Sequence, residues 1–171
     1  MLHHSFIRVL VVDDHLGTRV GLASLIEAEQ PRMRCIGAAG TAGEALTHTR
    51  ALQPHVILLD VDLAGDDGLA LIPALHLAAH CAVVVLTSLQ DPSVAMFALR
   101  LGAHACLHKT APAAELLAAI CAAAPANEGG VFSHAGGTNY LSAGGQSDHA
   151  PHSSASYIEG SATQSARKRV R

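Results

Sequence analysis

The apolar positions of the chain fall into two alternating patterns. Short runs rich in β-branched residues, Ile7–Val12, residues 56–59 and residues 82–86, are nearly continuous rather than interleaved with polar residues. That pattern predicts strands buried on both faces of a parallel sheet. Weaker runs at residues 33–38 and 105–107 bring the predicted strands to five. Between the runs lie longer stretches rich in Ala, Leu and Glu. Leu22, Leu25 and Ile26 stand at i, i+3 and i+4, one face of a helix. Asp91-Pro92 supplies an N-cap acceptor and a first-turn proline, Val94, Phe97, Ala98 and Leu101 then share a face, and Gly102 ends that helix. A last helix is expected over residues 112–124. Strand and helix alternate five times, which defines an α/β, doubly wound domain over residues 1–124 with right-handed crossovers. Ligands of such sheets bind beyond the carboxyl ends of the strands.

Composition sets the class of partner. Half of the 171 residues are hydrophobic and 15% are charged, enough apolar material for a packed core. The net charge of −3 excludes a chain built mainly to coat nucleic acid or an anionic membrane. With 3% aromatic residues and no Trp, stacking platforms for single strands are absent. Cys35, Cys81, Cys106 and Cys121 form no C-x-x-C pair, so neither a zinc finger nor a dithiol centre is indicated. Their apolar neighbours predict buried free thiols in a reducing compartment. No apolar run reaches the roughly 18 residues of a membrane span. The apolar start runs into Asp13 and Asp14 without a cleavage site, so a cytoplasmic protein is expected. Residues 125–171 are rich in Gly, Ser, His and Ala and are expected to be a flexible low-complexity tail without a folded output domain. The closing Arg167-Lys168-Arg169-Val170-Arg171 is short enough to be merely solvated.

The chemistry gathers at the strand ends. The first strand is expected to end in Asp13-Asp14, the third in Asp60, the fourth in Thr87-Ser88 and the fifth in Lys109. One such aspartate is commonly a helix cap. Three carboxylates on one rim repel one another and raise each other's pKa. A hard cation removes that repulsion, and Mg²⁺ bound by two carboxylates and a carbonyl keeps positions for water and a phosphoryl oxygen. A remaining carboxylate, reachable from solvent, can attack phosphorus to form an acyl phosphate. A hydroxyl from Thr87 and the ammonium of Lys109 suit the other phosphoryl oxygens.

Val11-Val12-Asp13-Asp14-His15, Leu58-Leu59-Asp60, Asp67-Gly68, Leu86-Thr87-Ser88 and Lys109, in this order and spacing, resemble the receiver domain of two-component response regulators. The resemblance covers residues 7–124. It implies a flavodoxin-like (βα)5 sandwich whose five parallel strands lie in the order 2-1-3-4-5. It implies Asp60 as phospho-acceptor, Mg²⁺ held by Asp13, Asp14, Asp60 and the backbone carbonyl of Asp62, Thr87 as switch hydroxyl and Lys109 as phosphate-binding lysine. The implied donor is a sensor histidine kinase or phosphotransfer protein. The implied role is a switch rather than an enzyme, with a homodimer or partner on the face made by the fourth helix, fifth strand and fifth helix.

His15-Leu16, Arg19, Gly21-Leu22, Lys109-Thr110-Ala111-Pro112, Glu115-Leu116 and Gly129-Gly130-Val131-Phe132-Ser133 are similar to the NarL/FixJ type. Residues 142–155 contain almost no helix-period apolar positions, so no recognition helix is expected and this chain alone is not expected to bind DNA. Two positions depart from the family pattern. Cys106 stands where a switch aromatic is usual, and Ala64 where a proline is usual.

Three other functions compete. Asp60-Val61-Asp62 with Thr87 and Lys109 imitates a haloacid-dehalogenase-type phosphatase, but Asp13 and Asp14 precede the lysine and Leu63 is out of pattern. A DNA-binding regulator of the NarL/FixJ type lacks its helices, and a receiver working without phosphate is kept open by Cys106. Asp66 and Asp67 read as loop and helix-start residues. His15 reads as a solvated first-turn residue beside the acids, His104 and His108 as surface residues, and His134, His149 and His152 as tail residues without fixed geometry.

Overall fold

The computed structural model describes residues 6–63 and 65–125. The helices and strands are β1 (Ile7–Val12), α1 (Leu16–Glu27), β2 (Met33–Ala39), α2 (Ala42–Leu52), β3 (Val56–Asp60), β4 (Asp62–Leu63), β5 (Asp66–Asp67), α3 (Gly68–Ala78), β6 (Ala82–Thr87), α4 (Pro92–Arg100), β7 (Ala105–His108) and α5 (Ala113–Ala123). The five long strands form one parallel sheet in the order β2-β1-β3-β6-β7, the predicted order. The small β4–β5 hairpin, paired Asp62 with Asp67 and Leu63 with Asp66, was not expected.

Side chains of a strand alternate between faces, so the sheet divides the core in two. Leu10, Val12, Ile57, Leu59, Val83 and Val85 face α2, α3 and α4. Val9, Val11, Val56, Leu58, Val84 and Leu86 face α1 and α5. Both sets are almost fully buried, which is why the runs are continuously apolar. Ile26 is buried and Leu22 and Leu25 pack beside it, as their spacing predicts.

The predicted caps hold. The Asp91 carboxylate accepts from Ser93 N–H at 2.8 Å, and Gly102, at φ +102°, takes the left-handed conformation that ends the helix. Two expectations are corrected. Phe97 is 48% exposed, because nine-residue α4 packs through Ala98, Val94 and Leu101 instead. The four cysteines are free but only half-buried: Cys35 and Cys106 lie on edge strands β2 and β7, Cys81 just before β6 and Cys121 in α5. Burial pushes every thiol up, Cys81 to about 11. Residue 64 and residues 126–171, with the tail, His134, His149, His152 and Gly129–Ser133 motif positions, lie outside the described residues.

Candidate functional site

Hydrogen bonding of the turn after β1 fixes the first two acids. Asp13 N–H continues the ladder to Ala39 O at 3.1 Å. Its Oδ1 accepts from His15 N–H at 2.8 Å, closing the turn into α1. Arg19, one turn into α1, donates back to the carbonyls of Asp13 and Asp14 at 2.7 and 2.9 Å. Arg19 thus holds the backbone that carries both acids, a role its place in the subfamily motif did not disclose. His15 is exposed beside the acids, as expected, with its Nδ1 2.6 Å from Asp14 Oδ1.

Asp60 is the last residue of β3, paired with Leu86. The adjoining backbone leaves no room for a side chain at residue 68: a Cβ on Gly68 would stand 2.1 Å from the Asp60 carbonyl oxygen. Gly68 N–H donates to Val61 O at 2.8 Å, and Asp67 caps α3 by accepting from Leu69 N–H at 2.9 Å. Asp67 is therefore a structural cap. Asp62, two residues beyond Asp60, is exposed.

Lys109 unites the acids. Its Nζ donates to Asp13 Oδ2 at 2.8 Å and to Asp60 Oδ2 at 2.6 Å. One ligand atom each from Asp13, Asp14, His15 and Asp60 lies within 4.8 Å of the others, compact enough for a single ion. Three of these four donors are carboxylates, the hard-oxygen set that suits Mg²⁺. Asp60 is only 3% exposed, more enclosed than the solvent-reachable carboxylate expected, and Lys109 lies against it. Burial pushes the Asp60 carboxyl above its ordinary value, the Lys109 hydrogen bond and charge pull it back, and the Asp13 charge adds to the rise. Burial pulls the Lys109 ammonium down, but hydrogen bonds and charge from Asp13 and Asp60 outweigh it and the net direction is upward.

Thr87 closes β6 and is buried. Its oxygen accepts from Leu89 N–H at 3.0 Å, leaving its own O–H to donate. Lys109 N–H bonds Thr87 O at 2.8 Å, which registers the two loops. His104 and His108 are not simply surface residues. His104 N–H bonds Val83 O at 2.7 Å and its ring is half-buried, so burial lowers its pKa. The His108 ring bonds Thr110 Oγ1 and Ser88 O.

This arrangement gathers acids and a lysine beyond the carboxyl ends of a five-stranded parallel sheet. A family model for the response regulator receiver domain matches residues 9–121, and the chain belongs to that family. The chain is 38% identical over 118 residues to the transcriptional regulatory protein LiaR of Bacillus subtilis, covering 68% of this chain and 56% of LiaR. A protein-glutamate methylesterase/protein-glutamine glutaminase of Agrobacterium fabrum is 34% identical over 61% of this chain, which spans 30% of that enzyme. Among solved structures, the response regulator domain of Thermotoga maritima CheB aligns with a TM-score of 0.64 and 31% identity, covering 69% of this chain and 96% of that one. The receiver domain of a putative NarL from Mycobacterium tuberculosis aligns at 0.63 and 27%, covering 68% and 94%. The chain thus spans about half of LiaR and about a third of the methylesterase. Among the described residues, no helix is long and apolar enough to cross a membrane.

Proposed function

We propose that this chain is a phosphorylation-switched receiver whose acceptor is Asp60, with Asp13, Asp14, Asp60 and the backbone carbonyl of Asp62 as the Mg²⁺ site and Thr87 and Lys109 as phosphoryl ligands. The observation that carries this reading is the buried Asp60 carboxylate at a strand end, 2.6 Å from Lys109 and grouped with Asp13 and Asp14. An Asp60 oxygen attacks phosphorus, the bond from phosphorus to the donor's leaving atom breaks, and an aspartyl phosphate forms. Mg²⁺, when bound, offsets the negative charge that gathers between carboxylates and phosphoryl oxygens. Lys109 turns from the carboxylates toward a phosphoryl oxygen, and the Thr87 O–H donates to another. The donor is a phosphohistidine on a sensor kinase or phosphotransfer protein, and the four free thiols fit the reducing cytoplasm.

In this reading the chain is a phospho-acceptor and not an enzyme acting on an external substrate. Exposed Met96 and Phe97 line a groove between α4 and Leu69 of α3, and the α4–β7–α5 face is where a second copy or another partner would dock. The test is incubation of the full chain with radiolabelled acetyl phosphate. Label is expected to enter only with Mg²⁺ present and to vanish in Asp60→Asn; label retained by that variant would refute the assignment.

A further inference from the structure

Thr87 and Lys109 sit on two separate turns, and one side chain ties those turns together. The Nε2 of His108 lies 3.2 Å from Ser88 O, the residue after Thr87. Its Nδ1 lies 2.7 Å from Thr110 Oγ1 and 3.3 Å from Thr110 N, the residue after Lys109. A carbonyl only accepts and a backbone N–H only donates. The one neutral tautomer that satisfies all three contacts has its proton on Nε2, with the Nδ1 lone pair accepting from Thr110. The backbone ladder between β6 and β7 ends with Thr87 opposite His108, so these bonds hold the chain just where the strands diverge into turns.

We propose that His108 is a positioning residue for phosphoryl transfer: its imidazole clamps the Thr87–Leu89 turn to the Lys109–Thr110 turn, fixing the Thr87 hydroxyl relative to the Lys109 ammonium. This rests on the reading of Asp60 as acceptor. Transfer of this kind depends mainly on placing charges around three equatorial oxygens, so a loose pair of ligands slows it without touching the acids. The His108 ring bonds Ser88 and Thr110, whereas the Lys109 ammonium bonds Asp13 and Asp60, which separates its role from theirs.

The experiment has two readouts on the full chain. Long-range proton–nitrogen NMR of the unphosphorylated protein is expected to show one His108 tautomer, protonated on Nε2. Initial phosphorylation rates with acetyl phosphate and saturating Mg²⁺ are then compared across variants. His108→Ala is expected to be about tenfold slower, the scale of one net hydrogen bond, with Mg²⁺ affinity unchanged. His108→Gln keeps a donor toward Ser88 O and is expected to recover most of that loss. A ring protonated on Nδ1, a His108→Ala rate equal to wild type, or a slow variant that glutamine does not rescue each overturns the proposal. Failure of the wild-type chain to take label at all is a different result: it sinks the acceptor reading, and the positioning role with it.

Discussion

The two ends of the sheet handle buried polar groups differently. At the amino ends of the strands, His55 is buried beside a cavity of about 450 Å³ that also meets His76 and His80. The His55 ring accepts from Arg8 N–H at 3.3 Å, and its backbone bonds Arg8 and Ala82. These bonds tie His55 to the main chain of Arg8 and Ala82. At the carboxyl ends, Asp13 and Asp60 are buried to a similar degree, yet both are carboxylates and both lean on Lys109. A histidine can shed its charge when buried at little cost, whereas grouped carboxylates at neutral pH need a cation. In the proposed reading, this is the imbalance at the carboxyl end that an incoming ion and phosphoryl group would use.

The strongest way to break this contrast is Lys109→Ala. It leaves two buried carboxylates without their ammonium and is expected to cost ~2–3 kcal/mol in chemical denaturation, with Mg²⁺ restoring part of the loss. If Mg²⁺ stabilises the variant no more than wild type, the ion does not take over the same charges. Next, Gly68→Ala forces a Cβ into the Asp60 carbonyl and is expected to cost about 2 kcal/mol, as overpacking does, and to slow labelling by moving Asp60. A variant with unchanged stability and labelling would show that the loop behind Asp60 yields freely.

A smaller effect comes from pH. Burial raises the Asp60 pKa, so the folded chain binds a proton more readily than the unfolded one. The stability due to the protonated form is present below the ordinary carboxylate range and is lost as pH rises through the folded value. Asp60→Asn is therefore expected to melt higher than wild type at neutral pH in metal-free buffer, with a flatter profile in weak acid. Equal profiles would mean that Lys109 compensates Asp60 fully. The smallest effect is expected at the other end: exposed His80→Ala should change stability by less than about 0.5 kcal/mol and leave labelling unchanged.

The strands and the carboxyl-end acids could be read from the sequence, while the buried His55 at the other end could not. Near-continuous apolar runs mark strands buried on both faces, and the strand starts fall where predicted. The third strand ends in Asp60, as the sequence predicts, with its backbone paired to Leu86. The β4–β5 hairpin escapes because two short pairs held by buried Leu63 carry no periodicity. Phe97 follows helical spacing yet stays exposed, since α4 turns Ala98, with Val94 and Leu101, to the core and leaves Met96 and Phe97 outside. Among site residues, Asp13, Asp14, Asp60 and Lys109 announce themselves by chemistry at strand ends. Arg19 does not, because it acts through loop carbonyls, and neither do the depth of Asp60 nor the bonds of His108, which arise only when distant turns meet.

The most direct measurement is chemical. Treating the acetyl-phosphate-labelled chain with borohydride reduces an aspartyl phosphate to homoserine, and peptide mass spectrometry then locates it. Homoserine at position 60, and at no other aspartate, is the expected result. Homoserine at Asp13, Asp14 or Asp62 with Asp60 unchanged, or at no position, would contradict the assignment of Asp60 as the carrier.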